Sequence, residues 1–234
     1  MSRYQALVLG ASGAIGQAFL AHFQNDVQCE LAVGLSRQGV LRFDLSDEDS
    51  MAQCAAALRD AAGPYGTCEF KFIVDATGAL TLDGLGPEKR LQAINPKQLL
   101  RQFEVNAVGP ALLIKHFSPL LVSHEAACYA TLSARVGSIE DNHKGGWYGY
   151  RAAKAARNML LQTAAIEVFR QKPLTVFAAL QPGTVQSSLS AKFVAAEDAM
   201  TPEDSVSQMM HALQSLKPTG RAQFVDYAGC TIPW

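Results

Sequence analysis

Tyr4-Gln5-Ala6-Leu7-Val8-Leu9-Gly10-Ala11-Ser12-Gly13-Ala14-Ile15-Gly16 is the stretch on which the fold turns. Its first six residues make a mostly apolar run of strand length. The glycine-rich turn that follows opens a helical pattern with Ile15, Phe19 and Phe23 on one face. A strand that feeds a helix through glycines lets the main chain approach a diphosphate closely, while the helix amino terminus presents unpaired N–H groups and a partial positive charge. Gly10, Ser12, Gly13, Ile15 and Gly16 are therefore candidates to hold a dinucleotide; the same glycines also suit a tight turn in any α/β protein.

Outward from this turn the pattern repeats to the end of the chain. Apolar runs of strand length fall at about 4–9, 30–35, 40–43, 69–75, 127–133, 174–180 and 222–226, with helical patterns between them at about 14–24, 47–62, 96–122, 147–170 and 202–216. Strands apolar on both faces and joined through helices predict a doubly wound parallel sheet of the α/β class, with about seven strands. No internal repeat, low-complexity tract or linker interrupts it, so residues 1–234 are expected to form a single domain.

Composition narrows the function. The 20 Lys+Arg nearly balance the 21 Asp+Glu, a formal charge of −1, which removes the diffuse electrostatic drive for nucleic-acid binding. No run of about 18 apolar residues and no leader-like opening occurs, so no membrane association is expected. The five cysteines are an odd number without a CxxC pair, which fits a reducing, cytoplasmic setting, and the five histidines have no metal-ligand spacing, so no metal is expected.

In an open parallel sheet, ligands bind beyond the carboxyl ends of the strands, and the chemistry-bearing residues cluster there. Arg37 lies just past the second apolar run, 21 residues after Gly16, where an arginine accommodates the 2′-phosphate of NADP and an acidic residue would select NAD. Asp44 follows the third run, and Asp75-Ala76-Thr77-Gly78 the fourth, where adenine and its ribose would rest; both aspartates equally suit caps or turns. After the sixth run, Pro182-Gly183-Thr184-Val185 makes a turn able to hold the far end of a cofactor.

Tyr150 and Lys154 are four residues apart near the start of a long helical pattern, so they share a face, and a nearby ammonium is expected to draw the phenol towards a useful proton-transfer range. Tyr148 faces elsewhere. Ser133 and Ser138 supply hydroxyls at the end of the fifth run, and Asn106 places a polar amide inside an apolar helical stripe, where it needs a partner.

Taken in order, the glycine turn, Asp44, Asp75 to Gly78, Asn106, the serine segment, Tyr150 with Lys154, and Pro182-Gly183 resemble the short-chain dehydrogenase/reductase family over essentially the whole chain. Ser133 to Ile139, Gly145 to Arg151, Ile94-Asn95-Pro96 and the final Thr-Ile-Pro-Trp look like its C-factor and sniffer-type carbonyl reductase subgroup. The resemblance implies a Rossmann-type fold and an NADP(H)-dependent reductase of a small carbonyl substrate. Tyr150 would be the general acid and Lys154 would lower its pKa and bind the nicotinamide ribose. A serine would orient the carbonyl, Asn106 would hold a relay water, and Thr184 would contact the carboxamide. It also implies a homodimer or homotetramer paired through the helices at about 96–122 and 147–170. Residues at about 184–216 would form a small substrate lid. A second reading keeps the NADP(H) site in a signalling or sensor protein with weak or lost catalysis.

This chain departs from the family pattern at three places. Ala14 replaces a glycine common in the turn, and Asp75 stands where asparagine is common. Ala134 aligns with the usual catalytic serine, leaving Ser133, and next Ser138, to substitute for it.

Overall fold

Leu7 and Leu9 pack into one apolar layer while Ala6 and Val8 enter another, so the first strand, β1 (Tyr4–Leu9), is covered on both faces, as its apolar sequence requires. The computed structural model describes residues 3–60, 62–187 and 196–234. From β1 the chain runs through α1 (Ala14–Asn25), β2 (Cys29–Leu35), α2 (Glu48–Arg59), β3 (Phe72–Asp75), α3 (Pro96–Phe103), α4 (Gly109–Phe117), β4 (Ala127–Leu132), α5 (Tyr148–Phe169), β5 (Thr175–Gln181), α6 (Pro202–Ser215) and β6 (Ala222–Asp226). The strands form one parallel sheet in the order β2-β1-β3-β4-β5-β6. This is the doubly wound, Rossmann-type arrangement, with α2, α4 and α5 on one face and α1 and α6 on the other.

Among the described residues the sheet has six strands rather than about seven. Residues 40–43 make only the single bridge Ser36–Arg42, with the Phe43 amide on the Ser36 carbonyl at 3.0 Å. Gly39 turns the chain at φ +113° and Val40 is 79% exposed, so the run has one buried residue, Phe43, and not the two apolar faces of an interior strand.

The helical stretch expected at 96–122 is also divided. A π turn over Glu104–Val108 separates α3 from α4, and a 3₁₀ turn at Ser118–Leu120 ends it. The other helices begin and end within a few residues of the sequence pattern. Asp47, Asn95 and Thr201 cap α2, α3 and α6 through their side chains, with Pro96 and Pro202 opening the last two.

Strand register puts the carboxyl ends in one row: Leu35 pairs with Leu9, Leu9 with Asp75, Asp75 with Thr131, Leu132 with Leu180, and Gln181 with Asp226. The order reverses between β1 and β3, which opens a crevice at that edge. Within the region expected as a lid, residues 188–195 lie outside the described residues; what flanks them is the bridge between Val185 and Met200, a 3₁₀ turn at Ala196–Asp198, and α6. Among the described residues, no helix is long and apolar enough to cross a membrane.

Candidate active site

A cavity of about 410 Å³ opens at the crevice, lined by Gly13 to Gly16, Ala76 to Gly78, Leu80, Leu132 to Val136, Trp147, Tyr150, Lys154 and Gln181 to Val185. Four loops at the carboxyl row and the start of α5 thus meet where the sequence places its motifs. Gly10 (φ +86°) turns the chain out of β1, and its amide and that of Ala11 both donate to the Leu35 carbonyl, tying the turn to the end of β2. A Cβ at Gly16 would stand 2.2 Å from the Gly10 carbonyl oxygen, so α1 packs this close to the turn only without a side chain there.

At the start of α1, Gly13 provides no side-chain cap, and the first turn carries no acidic residue. Peptide N–H groups therefore face the cavity at the positive end of the helix. Ala14 takes the place of a common glycine at the first helical residue, where negative φ suits a methyl. This side-chain-free cradle fits the diphosphate of a dinucleotide. Arg37, Ser12 and Asp44 are exposed and lie outside the cavity lining. Arg37 follows the Leu35 to which the glycine turn is bonded. Asp44 orders a local turn by accepting from the Ser46 amide at 2.8 Å.

Tyr150 and Lys154, in the first two turns of α5, are 7% and 3% exposed and share the cavity wall. The Lys154 ammonium donates to the Leu132 carbonyl at 2.9 Å, with Nζ 5.7 Å from the Tyr150 ring centre. Burial pushes the phenol up to about 12, with the Arg157 guanidinium acting the other way. Burial, then Arg157, hold the Lys154 amine well below its ordinary range, and Asp75 opposes them. The expectation that lysine draws the tyrosine down is therefore corrected: desolvation dominates, and a desolvated amine pointed at a carbonyl exerts little pull. The result is a phenol kept protonated, hence a proton donor.

The loop before α5 fixes this pair. Gly145 and Gly146 turn at positive φ, and Trp147 adopts φ +55°, an uncommon conformation for a bulky residue. Its amide donates to the Glu88 carbonyl at 2.5 Å, and the buried Glu88 carboxylate accepts from the Gly149 amide at 3.1 Å, capping α5 from the segment after β3. The Trp147 ring meets Tyr150 edge-on at 6.2 Å.

Asn106 is fully buried in the π turn. Its Nδ2 donates to the Ala79 carbonyl and to Gln102 Oε1, each at 2.8 Å, and its Oδ1 accepts from the Ala79 amide at 3.0 Å. Both amide protons are thus spent on the protein, so Asn106 pins the chain just past Gly78 and has no proton left to give a water.

Neither serine takes the place left by Ala134. The Ser133 hydroxyl donates its one proton to Asn158 Oδ1 at 2.6 Å, although the residue lines the cavity. Ser138 accepts from the Asp141 amide at 3.0 Å and borders a different cavity, with Tyr148 and Arg151. Ala134 itself faces the main cavity.

Leu80, Glu88 and Arg157 were not marked by sequence motifs. Asp75 was, and it pairs with Arg157 on α5, both almost completely buried. A carboxylate ending an interior strand was the available signal, since such a group needs a cation.

Comparison with known proteins places this geometry. The family model described as Enoyl-(Acyl carrier protein) reductase matches residues 14–225. The 1-hydroxy-2-glutathionyl-2-methyl-3-butene dehydrogenase of Rhodococcus sp. (strain AD45) is 27% identical over 191 residues, 82% of this chain and 78% of that protein. The C-signal of Myxococcus xanthus is 33% identical over 137 residues, 58% of this chain and 78% of that protein. An NADPH-bound carbonyl reductase from chicken fatty liver superposes with a TM-score of 0.83 at 20% identity, covering 100% of both chains, a likeness of fold.

Proposed function

Because the chain belongs to the short-chain dehydrogenase/reductase family, we propose that it is an NADPH-dependent oxidoreductase that reduces an aldehyde or ketone to an alcohol, with Tyr150 as general acid. The observation that carries this reading is the buried Tyr150 phenol, held protonated beside Lys154 in the cavity that also contains the glycine cradle. A nicotinamide nucleotide, when bound, would supply the hydride that the carbonyl carbon receives.

The chain's own residues do the rest. Gly13 to Gly16 receive the diphosphate on main-chain N–H groups, and Ala76 and Gly78 leave room for the adenosine half. Arg37 meets the 2′-phosphate and favours NADPH over NADH. Pro182 to Val185 would border the nicotinamide end, the Thr184 hydroxyl would hold its carboxamide, and Lys154 would hold the ribose. Tyr150 gives its proton to the oxygen of the forming alkoxide. Leu80, Val136, Trp147 and Val185 supply an apolar wall that excludes water and selects a carbonyl compound with an apolar body. Two or four copies would pair through the helices at about 96–122 and 147–170, where Leu100 on α3 and Leu160 and Ile166 on α5 are exposed. The region around 184–216 would cover the substrate.

Consumption of NADPH and, separately, NADH against a panel of aldehydes, ketones and quinones tests the reading. Turnover is expected with NADPH, and Tyr150→Phe is expected to lower it by about 10²-fold or more while cofactor binding persists. A Tyr150→Phe variant as fast as its parent would refute the assignment. Ala134 and the occupied serine hydroxyls favour a second reading, a cofactor-binding signalling protein with weak or lost catalysis. Tight NADPH binding without turnover of any compound would support it.

A further inference from the structure

The Asp75–Arg157 pair plays no part in the steps above, yet it lies directly beneath them. Asp75 ends β3 and is 0% exposed; Arg157, on α5, is 1% exposed. The Asp75 carboxylate accepts from the Thr77 amide at 2.9 Å, the Thr77 hydroxyl at 2.6 Å, the Thr131 hydroxyl at 2.9 Å, and Arg157 Nη2. Arg157 spreads its fork further, with Nε on Thr131 Oγ1 at 2.7 Å and Nη1 on the Thr77 carbonyl at 2.9 Å.

Three residues separate Arg157 from Lys154 and seven separate it from Tyr150, so all three project from one side of α5. Two of them, Lys154 and Arg157, meet Asn106 at a single backbone point. A Cβ on Gly78 would lie 2.9 Å from Asn106 Oδ1, 3.3 Å from Lys154 Nζ and 3.6 Å from Arg157 Nη1.

A buried ion pair adds little net stability over an apolar filling of the same space, so stability alone is a weak reason to keep one here. We propose that Arg157 is a positioning residue for the Tyr150–Lys154 pair: with Asp75 as counter-ion, it seats the Thr77–Gly78 backbone against Lys154 and sets a permanent positive charge beside it. This rests on Tyr150 and Lys154 being the proton-transfer pair. The groups facing Lys154 are Asp75 from β3, Arg157 and Tyr150 from its own helix, the Leu132 carbonyl from β4, and the neutral amide of Asn106 from the π turn. Of the charged ones, Arg157 disfavours the ammonium and favours phenolate, while Asp75 does the reverse to Lys154.

The test is the double variant Asp75→Asn/Arg157→Met, which removes both charges and keeps an acceptor for Thr77. Lys154 is followed by NMR of protein carrying [ε-¹³C]lysine, its signal assigned by its loss in Lys154→Met, and kcat and KM are measured with NADPH. The expected result is a folded protein in which Lys154 titrates at higher pH than in the parent, kcat falls about 10-fold or more, and KM for the carbonyl compound stays within about twofold. A folded double variant with the parent's Lys154 titration and kcat would overturn the proposal.

Should that variant not fold, Arg157→Lys keeps a cation opposite Asp75 but cannot bridge Thr131 and Thr77 with one planar fork. Its kcat is expected to fall with KM kept, and the parent's kcat would be decisive against the positioning role. Failure of the underlying reading is separate, since it appears as undiminished turnover in Tyr150→Phe whatever Lys154 does.

Discussion

The glycine turn at residues 10–16 and the strand end at 133–138 stand on the same edge of one sheet, yet they are built on opposite principles. The first works through missing side chains, since any Cβ at Gly16 would strike the Gly10 carbonyl and α1 begins with uncapped N–H groups. The second depends on where a hydroxyl points, and there the two available hydroxyls are engaged elsewhere, Ser133 with Asn158 and Ser138 with Asp141. A site made by backbone is fixed once the fold forms. A site made by a short side chain is decided by each neighbour that competes for its hydroxyl.

That contrast is open to attack at three points. The largest effect is expected from Ala134→Ser: a hydroxyl restored to the cavity wall should raise kcat by about 10²-fold, the scale of one oriented hydrogen bond to a reacting oxygen. A variant no faster than its parent would show that another group already supplies this bond, and the strand end would no longer be the deficient half. Next comes Gly16→Ala, expected to cost about 1–3 kcal/mol through overpacking and to weaken NADPH binding, as read by thermal melting and fluorescence titration. An unchanged midpoint and affinity would mean that the turn yields as easily as a side chain. The smallest effect belongs to Ser133→Ala, about 1 kcal/mol for the lost bond to Asn158, with kcat altered only a few-fold. A large fall in kcat at constant melting temperature would return Ser133 to the reacting oxygen.

The same distinction explains what was legible in the sequence. Strands apolar on both faces gave away the parallel sheet, and the helical patterns at about 14–24, 47–62, 147–170 and 202–216 marked four helices to within a few residues. The run at 40–43 misled because hydropathy does not say that Gly39 bends the chain and leaves Val40 outside. Tyr150 and Lys154 were visible as a four-residue step on one helix, but their proton affinities depend on how deeply α5 sinks, which no spacing encodes. Arg157 stayed hidden because its partner Asp75 is 82 residues away and only the register of β3 against β4, with α5 packed over them, brings the two together. Asp75 alone stood out, as a departure from the usual asparagine.

The π turn at Glu104–Val108 carries a consequence for insertions and deletions. Gly109 N–H reaches back five residues to the Glu104 carbonyl, so this stretch holds one residue more than an unbroken α-helix would. Remove one residue there and the hydrogen bonds close up as ordinary helix, four residues turning by about the angle that five turn in the wider coil, so everything beyond keeps its face. Leu113, Ile114 and Phe117 would stay in their apolar layer, and the change would fall on Asn106 and its bonds to Ala79 and Gln102. The extra residue is a local device that serves the placement of one amide, and its loss is expected to loosen the chain just past Gly78 while sparing the helix beyond.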